Sequence, residues 1–138
     1  MSDEIGGVGK IAWTDLTVPE ANKVRDFYAS VVGWTVSDVD MGGYSDYCMN
    51  QPANGVSSAG ICWHRGINTG LPPVWLIYIQ VANLEESVRK CEELGGRIVR
   101  AVSEMGEQGR YCVIQDPAGA VAALFQRPCR TSNPAGPA

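Results

Sequence analysis

Gln115-Asp116-Pro117-Ala118-Gly119-Ala120-Val121-Ala122-Ala123-Leu124-Phe125-Gln126 reads as a turn feeding a strand. Pro117 presets φ at one corner, and Gly119 takes the corner where φ is free to be positive. The Asp116 carboxylate can accept from the backbone two residues on. The strand is apolar from Val121 through Phe125. An imperfect copy lies earlier, where Pro52-Ala53-Asn54-Gly55 is loosely similar to Pro117-Ala118-Gly119. Val18 and Val81 each end a strand before a helix, 63 residues apart, and Gly33 and Gly96 repeat that spacing. Tyr47-Cys48 pairs with Tyr111-Cys112 after one inserted residue. Self-similarity at a long period is stronger evidence of architecture than any single strand.

Outward from that stretch, each half has the same order. Residues 10–18 alternate as a strand, with Ile11, Trp13 and Asp15 on one face and Ala12, Thr14, Leu16 and Val18 on the other. Pro19 suits a helix entry. Val24, Phe27, Tyr28, Val31 and Val32 form one helical stripe that Gly33 ends. Strands are expected over 34–37, 44–49 and 57–64, and 65–73 is a connector rich in Gly and Pro. The second half opens with a strand over 74–81. Asn83 with Glu86 makes a capping box, and Leu84, Val88, Cys91 and Leu94 line a helix that Gly95-Gly96 stops. Strands over 97–102 and 110–115 precede the opening stretch. The expected fold is α+β: two βαβββ modules, 10–64 and 74–127, whose paired curved mixed sheets enclose a cleft. Residues 1–9 and 128–138 are expected to be flexible tails.

The chain of 138 residues suits one such domain of 10–127. A net charge of −4 without a basic run gives no nucleic-acid footprint. No apolar run approaches the ~20 residues of a membrane span, and the acidic, glycine-rich start lacks the plan of a signal peptide. A cytoplasmic protein is expected. Cys48, Cys62, Cys91, Cys112 and Cys129 make an odd count without Cys-x-x-Cys, which reads as reduced thiols acting as small apolar residues. His64 is the single histidine, which weakens any mechanism needing two imidazoles.

The chain resembles the vicinal oxygen chelate superfamily, which includes glyoxalase I, bleomycin-resistance proteins and extradiol dioxygenases. The motifs that carry the likeness are Trp13-Thr14-Asp15-Leu16-Thr17-Val18-Pro19 with Arg25-Asp26-Phe27-Tyr28 and Val32-Gly33-Trp34, then Trp75 through Val81 with Leu94-Gly95-Gly96, and Asp116-Pro117-Ala118-Gly119. Metal-using members hold a cation with His, Glu or Gln on four strands. The resemblance implies Trp13 and Leu76 for two of those positions, five residues before Val18 and Val81. Ala123 falls where such members carry glutamate, and Ala59 or Gly60 is the fourth, depending on how the repeat is phased. Indole, Leu, Ala and Gly side chains offer no lone pair to a cation. No metal and no cofactor are therefore expected, and the family's Lewis-acid chemistries are expected to be absent.

If Trp13 and Leu76 face the cleft, the two-residue period brings Asp15, Tyr78 and Gln80 with them, and Ala123 brings Val121 and Phe125. With Cys62, these make an apolar, aromatic pocket with a few polar points, suited to a small molecule. Each residue also has a plain structural reading. Trp13 and Phe125 serve equally as core, Asp15 as a solvated strand-end charge, and Tyr78 as a core residue with a wet tip. Trp63 and Trp75 read as rim or as interface packing, and Glu104 and Glu107 as lid or as solvated loop charge. Three functions fit: a metal-free binder of an apolar or aromatic compound, as in bleomycin-resistance members; a metal-independent lyase or isomerase with Asp15 or His64 as acid–base group; or a non-catalytic assembly partner. A homodimer is implied by the resemblance, and neither nucleic acid nor membrane is expected as a partner.

Overall fold

The Asp116 turn forms as its residues dictate. In the computed structural model, which describes residues 7–128, the Asp116 carboxylate accepts from the N–H groups of Ala118 (2.8 Å) and Ala120 (3.0 Å). Gly119 sits at φ 95°, a conformation that a Cβ would strain. The expected tails lie mostly outside the described residues, as does Cys129. Residues 7–10 are held: Lys10 N–H bonds Gly7, and Gly9 N–H bonds the Gln80 carbonyl.

The chain divides into two units, Trp13–Leu76 and a second made of 1–12 with 77–138. In the first unit, β1 (Ile11–Val18), whose first two residues belong to the second unit, is followed by α1 (Ala21–Val32), β2 (Thr35–Asp40), β3 (Ser45–Asn50) and β4 (Ser57–Trp63). The strand order is β2-β3-β4-β1, with β4 and β1 parallel and the others antiparallel. Gly33 ends α1 in the left-handed conformation at φ 93°. Leu16, Val18, Ala21, Tyr47, Met49 and Ile61 form the core between α1 and one face of this sheet, joined by Val24, Tyr28, Trp34, Trp63 and Trp75.

The second unit carries β5 (Trp75–Gln80, its first two residues grouped with the first unit), α2 (Leu84–Glu93), β6 (Arg97–Glu104), β7 (Arg110–Gln115) and β8 (Val121–Gln126). Its order is β5-β8-β7-β6, with β5 and β8 parallel. Asn83 caps α2 by accepting from Glu86 N–H at 2.9 Å, as the sequence predicts, while the Glu86 carboxylate pairs with Arg89. The α2 N-terminus is also capped from β8, since Gln126 Oε1 accepts from Leu84 N–H at 2.8 Å. Leu84, Cys112 and Leu124, with Ile79, Val81, Val88, Val102 and Ile114, form the core under α2.

The elements are those expected, in α+β order, but three expectations about packing fail. The α1 stripe is narrower than the apolar run: Ala21, Val24 and Tyr28 face the sheet, whereas Phe27, Val31 and Val32 are 56%, 65% and 53% exposed. A short helix lying on a sheet buries one stripe at i, i+3, i+7, and residues about 100° round the helix fall on its flank. Leu94, expected on the inner face of α2, lies past the helix end and is exposed. Trp63 and Trp75 are half-buried against the core of the first unit rather than standing as a free rim. Trp63 Nε1 donates to the Ser45 carbonyl (2.9 Å) and Trp75 Nε1 to the Tyr28 hydroxyl (3.2 Å).

A further difference concerns the repeat. Tyr47 lies on the helix side of its sheet, opposite Ile61. Tyr111 lies on the side away from the helix, because its neighbour Cys112, opposite Leu124, packs under α2. The two Tyr-Cys pairs are therefore not equivalent. The structural counterpart of Tyr47 is Cys112, one residue beyond the alignment of matching letters. A one-residue slip exchanges every side chain between the faces of a strand.

Candidate functional site

The face of each sheet away from its helix carries the candidate residues, and each face is built by register. In the first unit β1 turns Leu16 and Val18 to the core, so Trp13, Asp15 and Thr17 take the other face. Asp15 stands opposite Gly60 and Thr17 opposite Cys62 in the parallel pair. Cys48 stands opposite Gly60 on the other side. Gly60 thus shares the Trp13 face, and a Cβ there would meet Asp15 Cβ at 3.3 Å and the Trp13 ring at 3.4 Å. The phase left open between Ala59 and Gly60 is decided for Gly60, since Ala59 shares its face with Ile61.

A thiol and two carboxylates gather on this face. Burial, then the charges of Asp15 and Asp46, push the Cys62 thiol far up, and it hydrogen-bonds the Asp46 carboxylate. Asp46 is 8% exposed and also accepts from Trp63 N–H at 3.0 Å. Cys62 is therefore a protonated donor at neutral pH, unsuited to act as a nucleophile. His64 follows β4; its backbone bonds Val18, and its imidazole makes no hydrogen bond or ion pair among the described residues.

In the second unit two parallel rows cross the face. Tyr78 stands opposite Ala123, Ala123 opposite Val113, and Val113 opposite Arg100. Two residues along, Gln80 stands opposite Phe125, Phe125 opposite Tyr111, and Tyr111 opposite Ser103. The Tyr78 and Tyr111 rings lie 5.9 Å apart at 45°. Ala123 is fully buried and Gln80 is 2% exposed. Val121, on the same face by alternation, is half-buried next to the Asp116 turn.

The register therefore brings Trp13, Asp15 and Cys62 together in the first unit, and Tyr78, Gln80, Val121, Ala123 and Phe125 together in the second. Leu76, grouped with the first unit, is 2% exposed. Sequence reasoning missed Asp46 and Cys48 beside Asp15, and Tyr111, Val113 and Arg100 beside Tyr78. The period-2 alternation of β3 and β7 would have found the strand partners once each was phased on its core residues.

This chain matches the model of the Glyoxalase/Bleomycin resistance protein/Dioxygenase superfamily over residues 10–124. It belongs to that superfamily. The chain is 31% identical over 115 residues to "Putative glyoxylase CFP32" of Mycobacterium tuberculosis, covering 83% of this chain and 44% of that protein. It is 29% identical to "Anthracycline biosynthesis protein DnrV" of Streptomyces peucetius, covering 86% and 47%. The chain thus spans about half the length of the curated relatives it matches. Among solved structures, methylmalonyl-CoA epimerase of Mycobacterium tuberculosis superposes with a TM-score of 0.52 at 16% identity, covering 86% of this chain and 88% of that one. The Streptomyces coelicolor methylmalonyl-CoA epimerase complexed with 2-nitronate-propionyl-CoA gives 0.55 at 14% identity, covering 88% and 99%. At such identities the likeness is one of fold.

The residues at the superfamily's usual metal positions do not fit a cation. Trp13, Gly60, Leu76 and Ala123 present an indole, a hydrogen, an isobutyl group and a methyl, none with an available lone pair. Among the described residues no three His, Cys, Asp or Glu side chains are grouped so as to hold a metal ion.

Proposed function

We propose that residues 10–127 act as one metal-independent domain that binds an apolar or aromatic small molecule on these sheet faces. The observation that carries the reading is the row Tyr78-Ala123-Val113, where a methyl takes the place of a metal-binding carboxylate between a tyrosine and a valine. Trp13, Asp15, Cys62, Leu76, Tyr78, Gln80, Val121, Ala123 and Phe125 are the proposed ligand contacts. Apolar walls with a few fixed polar groups suit such a ligand. The names of the relatives, a glyoxylase and an anthracycline biosynthesis protein, are compatible with a small organic compound. A thermal-shift screen of aromatic compounds, with elemental analysis of protein purified without chelator, tests the reading. Ligands that raise Tm without a stoichiometric metal support it; a bound divalent ion at one per chain overturns it.

A second reading, a metal-independent lyase or isomerase, rests on Asp15. This half-buried carboxylate stands opposite Gly60 and raises the pKa of the Cys62 thiol, which suits a proton-transfer group. Turnover of a bound compound that Asp15→Asn abolishes would favour this reading over simple binding.

The four described cysteines are free thiols, which suits the reducing cytoplasm we propose as its location. We also propose a homodimer. The exposed Phe27, Val31 and Val32 flank of α1 is the apolar surface that supports it. Light scattering of the wild type and of Phe27→Asp checks this: a dimer that becomes monomeric is expected, and a wild-type monomer overturns it.

A further inference from the structure

Gly60 lies inside β4, where a glycine needs a reason. A strand-interior glycine weakens pairing and has no side chain to pack. It is kept where φ is positive, where the strand bulges, or where another group approaches the backbone closely. The first two reasons are absent here. The φ of Gly60 is not positive, and its pairing is regular on both sides, with Cys48 on β3 and Asp15 on β1. The register shift between β3 and β4 falls at Met49/Asn50, away from Gly60. The third reason holds. A Cβ on residue 60 would lie 3.4 Å from Cζ2 of Trp13, 3.3 Å from Cβ of Asp15 and 3.6 Å from the Tyr47 carbonyl oxygen.

Trp13 reaches this place along the sheet. The register partner of Gly60 is Asp15, two residues beyond Trp13 on the same face. The indole therefore leans toward the Gly60 row, and its benzo end is seated in the gap that a glycine leaves. Trp13 is half-buried, so the residue is held at this end and keeps part of its surface in solvent. A side chain at 60 would compete with the indole for one volume and would press on the Asp15 methylene. Alanine fits only if these neighbours give by a few tenths of an ångström. Valine adds two methyls to a place already tight for one carbon.

We propose that Gly60 is a positioning residue for the ligand site: it seats the Trp13 indole against β4 and so sets the orientation in which the ring meets an aromatic ligand. This role rests on the binding function proposed above and adds to it a residue that acts through Trp13. Gly60 and Trp13 also fall at two of the family's metal positions. The indole takes the space beside residue 60, so a ligating side chain there and the seated ring exclude one another.

The test is a double-mutant cycle on the full chain, with 2-naphthol as the probe in isothermal titration calorimetry. Gly60→Val should weaken binding about tenfold, as far as Trp13→Ala does, and should have no further effect in the Trp13→Ala background. Near-UV circular dichroism supplies a readout that needs no ligand: Gly60→Ala should alter the tryptophan bands of wild type and leave those of Trp13→Phe unchanged. If Gly60→Val fails to fold, Gly60→Ala carries the same cycle with an expected loss of about threefold. Equal losses with and without Trp13 overturn the positioning role and leave the binding function standing, as does an altered tryptophan spectrum with full affinity. Failure of the wild type to bind 2-naphthol overturns the binding function, and the role of Gly60 with it.

Discussion

Tyr78 and Tyr111 hold their rings 5.9 Å apart on the side of the second sheet away from α2. They come from β5 and β7, with β8 between them. The pair makes an aromatic wall above the Ala123 methyl. Tyr78→Ala should therefore weaken binding of an aromatic probe about tenfold, or ~1.4 kcal/mol. Titration followed by tyrosine or tryptophan fluorescence measures it. Unchanged affinity would move the ligand off this face.

Ala123→Glu restores the family's carboxylate but not its site, because Trp13, Gly60 and Leu76 still offer a cation nothing. The new group would be buried where Ala123 is 0% exposed. Burial raises its pKa, so its unfolded-state pKa lies lower. The variant should lose roughly 2–4 kcal/mol at pH 7, and less as pH falls and the carboxylate takes up a proton. Urea denaturation at pH 5 and pH 7.5 checks the slope. Stabilisation by added divalent metal would contradict this account of the donor set.

Glu85 pairs with Arg110 at 2.6 Å, and Arg110 also donates to Gln126, the residue that caps α2. The Arg110 hydrogen bond lowers the Glu85 pKa to about 2 from 4.5. A depressed folded-state pKa means that the stabilisation is present above pH 4.5 and is lost as pH falls through 2. The pair is solvent-exposed, so its contribution is small. Glu85→Gln should flatten the acid limb of the stability curve between pH 5 and pH 2 relative to wild type. An unaltered limb would show that the pair contributes nothing.

Cysteine chemistry separates native from unfolded chain. Burial raises Cys62 and Cys91, and it takes Cys112 to about 11 from 9.0. Two units leave ~100-fold less thiolate at neutral pH. Ellman's reagent at pH 7.5 should label Cys112 at least ~100-fold more slowly in the native protein than in guanidinium chloride. Peptide mapping of the labelled sites gives the rates, and fast native labelling of Cys112 would place it outside the α2 core.

Much of the architecture was legible in the residues. Asp116-Pro117-Ala118-Gly119 predicts its own turn, Asn83 its own cap and Gly33 its own helix stop, because each acts on backbone within four residues. The two strand–helix openings lie 63 residues apart and carry the family likeness. The absence of ligands at Trp13, Leu76 and Ala123 is likewise written in the side chains themselves.

Facing was legible in β1, β5 and β8, where the two-residue period groups Trp13 with Asp15, Tyr78 with Gln80 and Ala123 with Phe125, but not in β3 and β7, because a strand carries no local signal that separates a face from its neighbour one residue away. Matching letters aligned Tyr47 with Tyr111, but register puts them on opposite faces. Packing decided which side of α1 is buried, leaving Phe27 and Val31 in solvent. Arg100 illustrates the same limit, since only pairing with β7 shows the register shift that sets it opposite Val113. The Asp116 stretch determined by itself that a turn feeds a strand and that Ala123 offers no metal ligand. The tertiary structure decided what Ala123 stands between, Tyr78 and Val113, because strand partners are chosen across the sheet by burial and hydrogen bonding rather than along the chain.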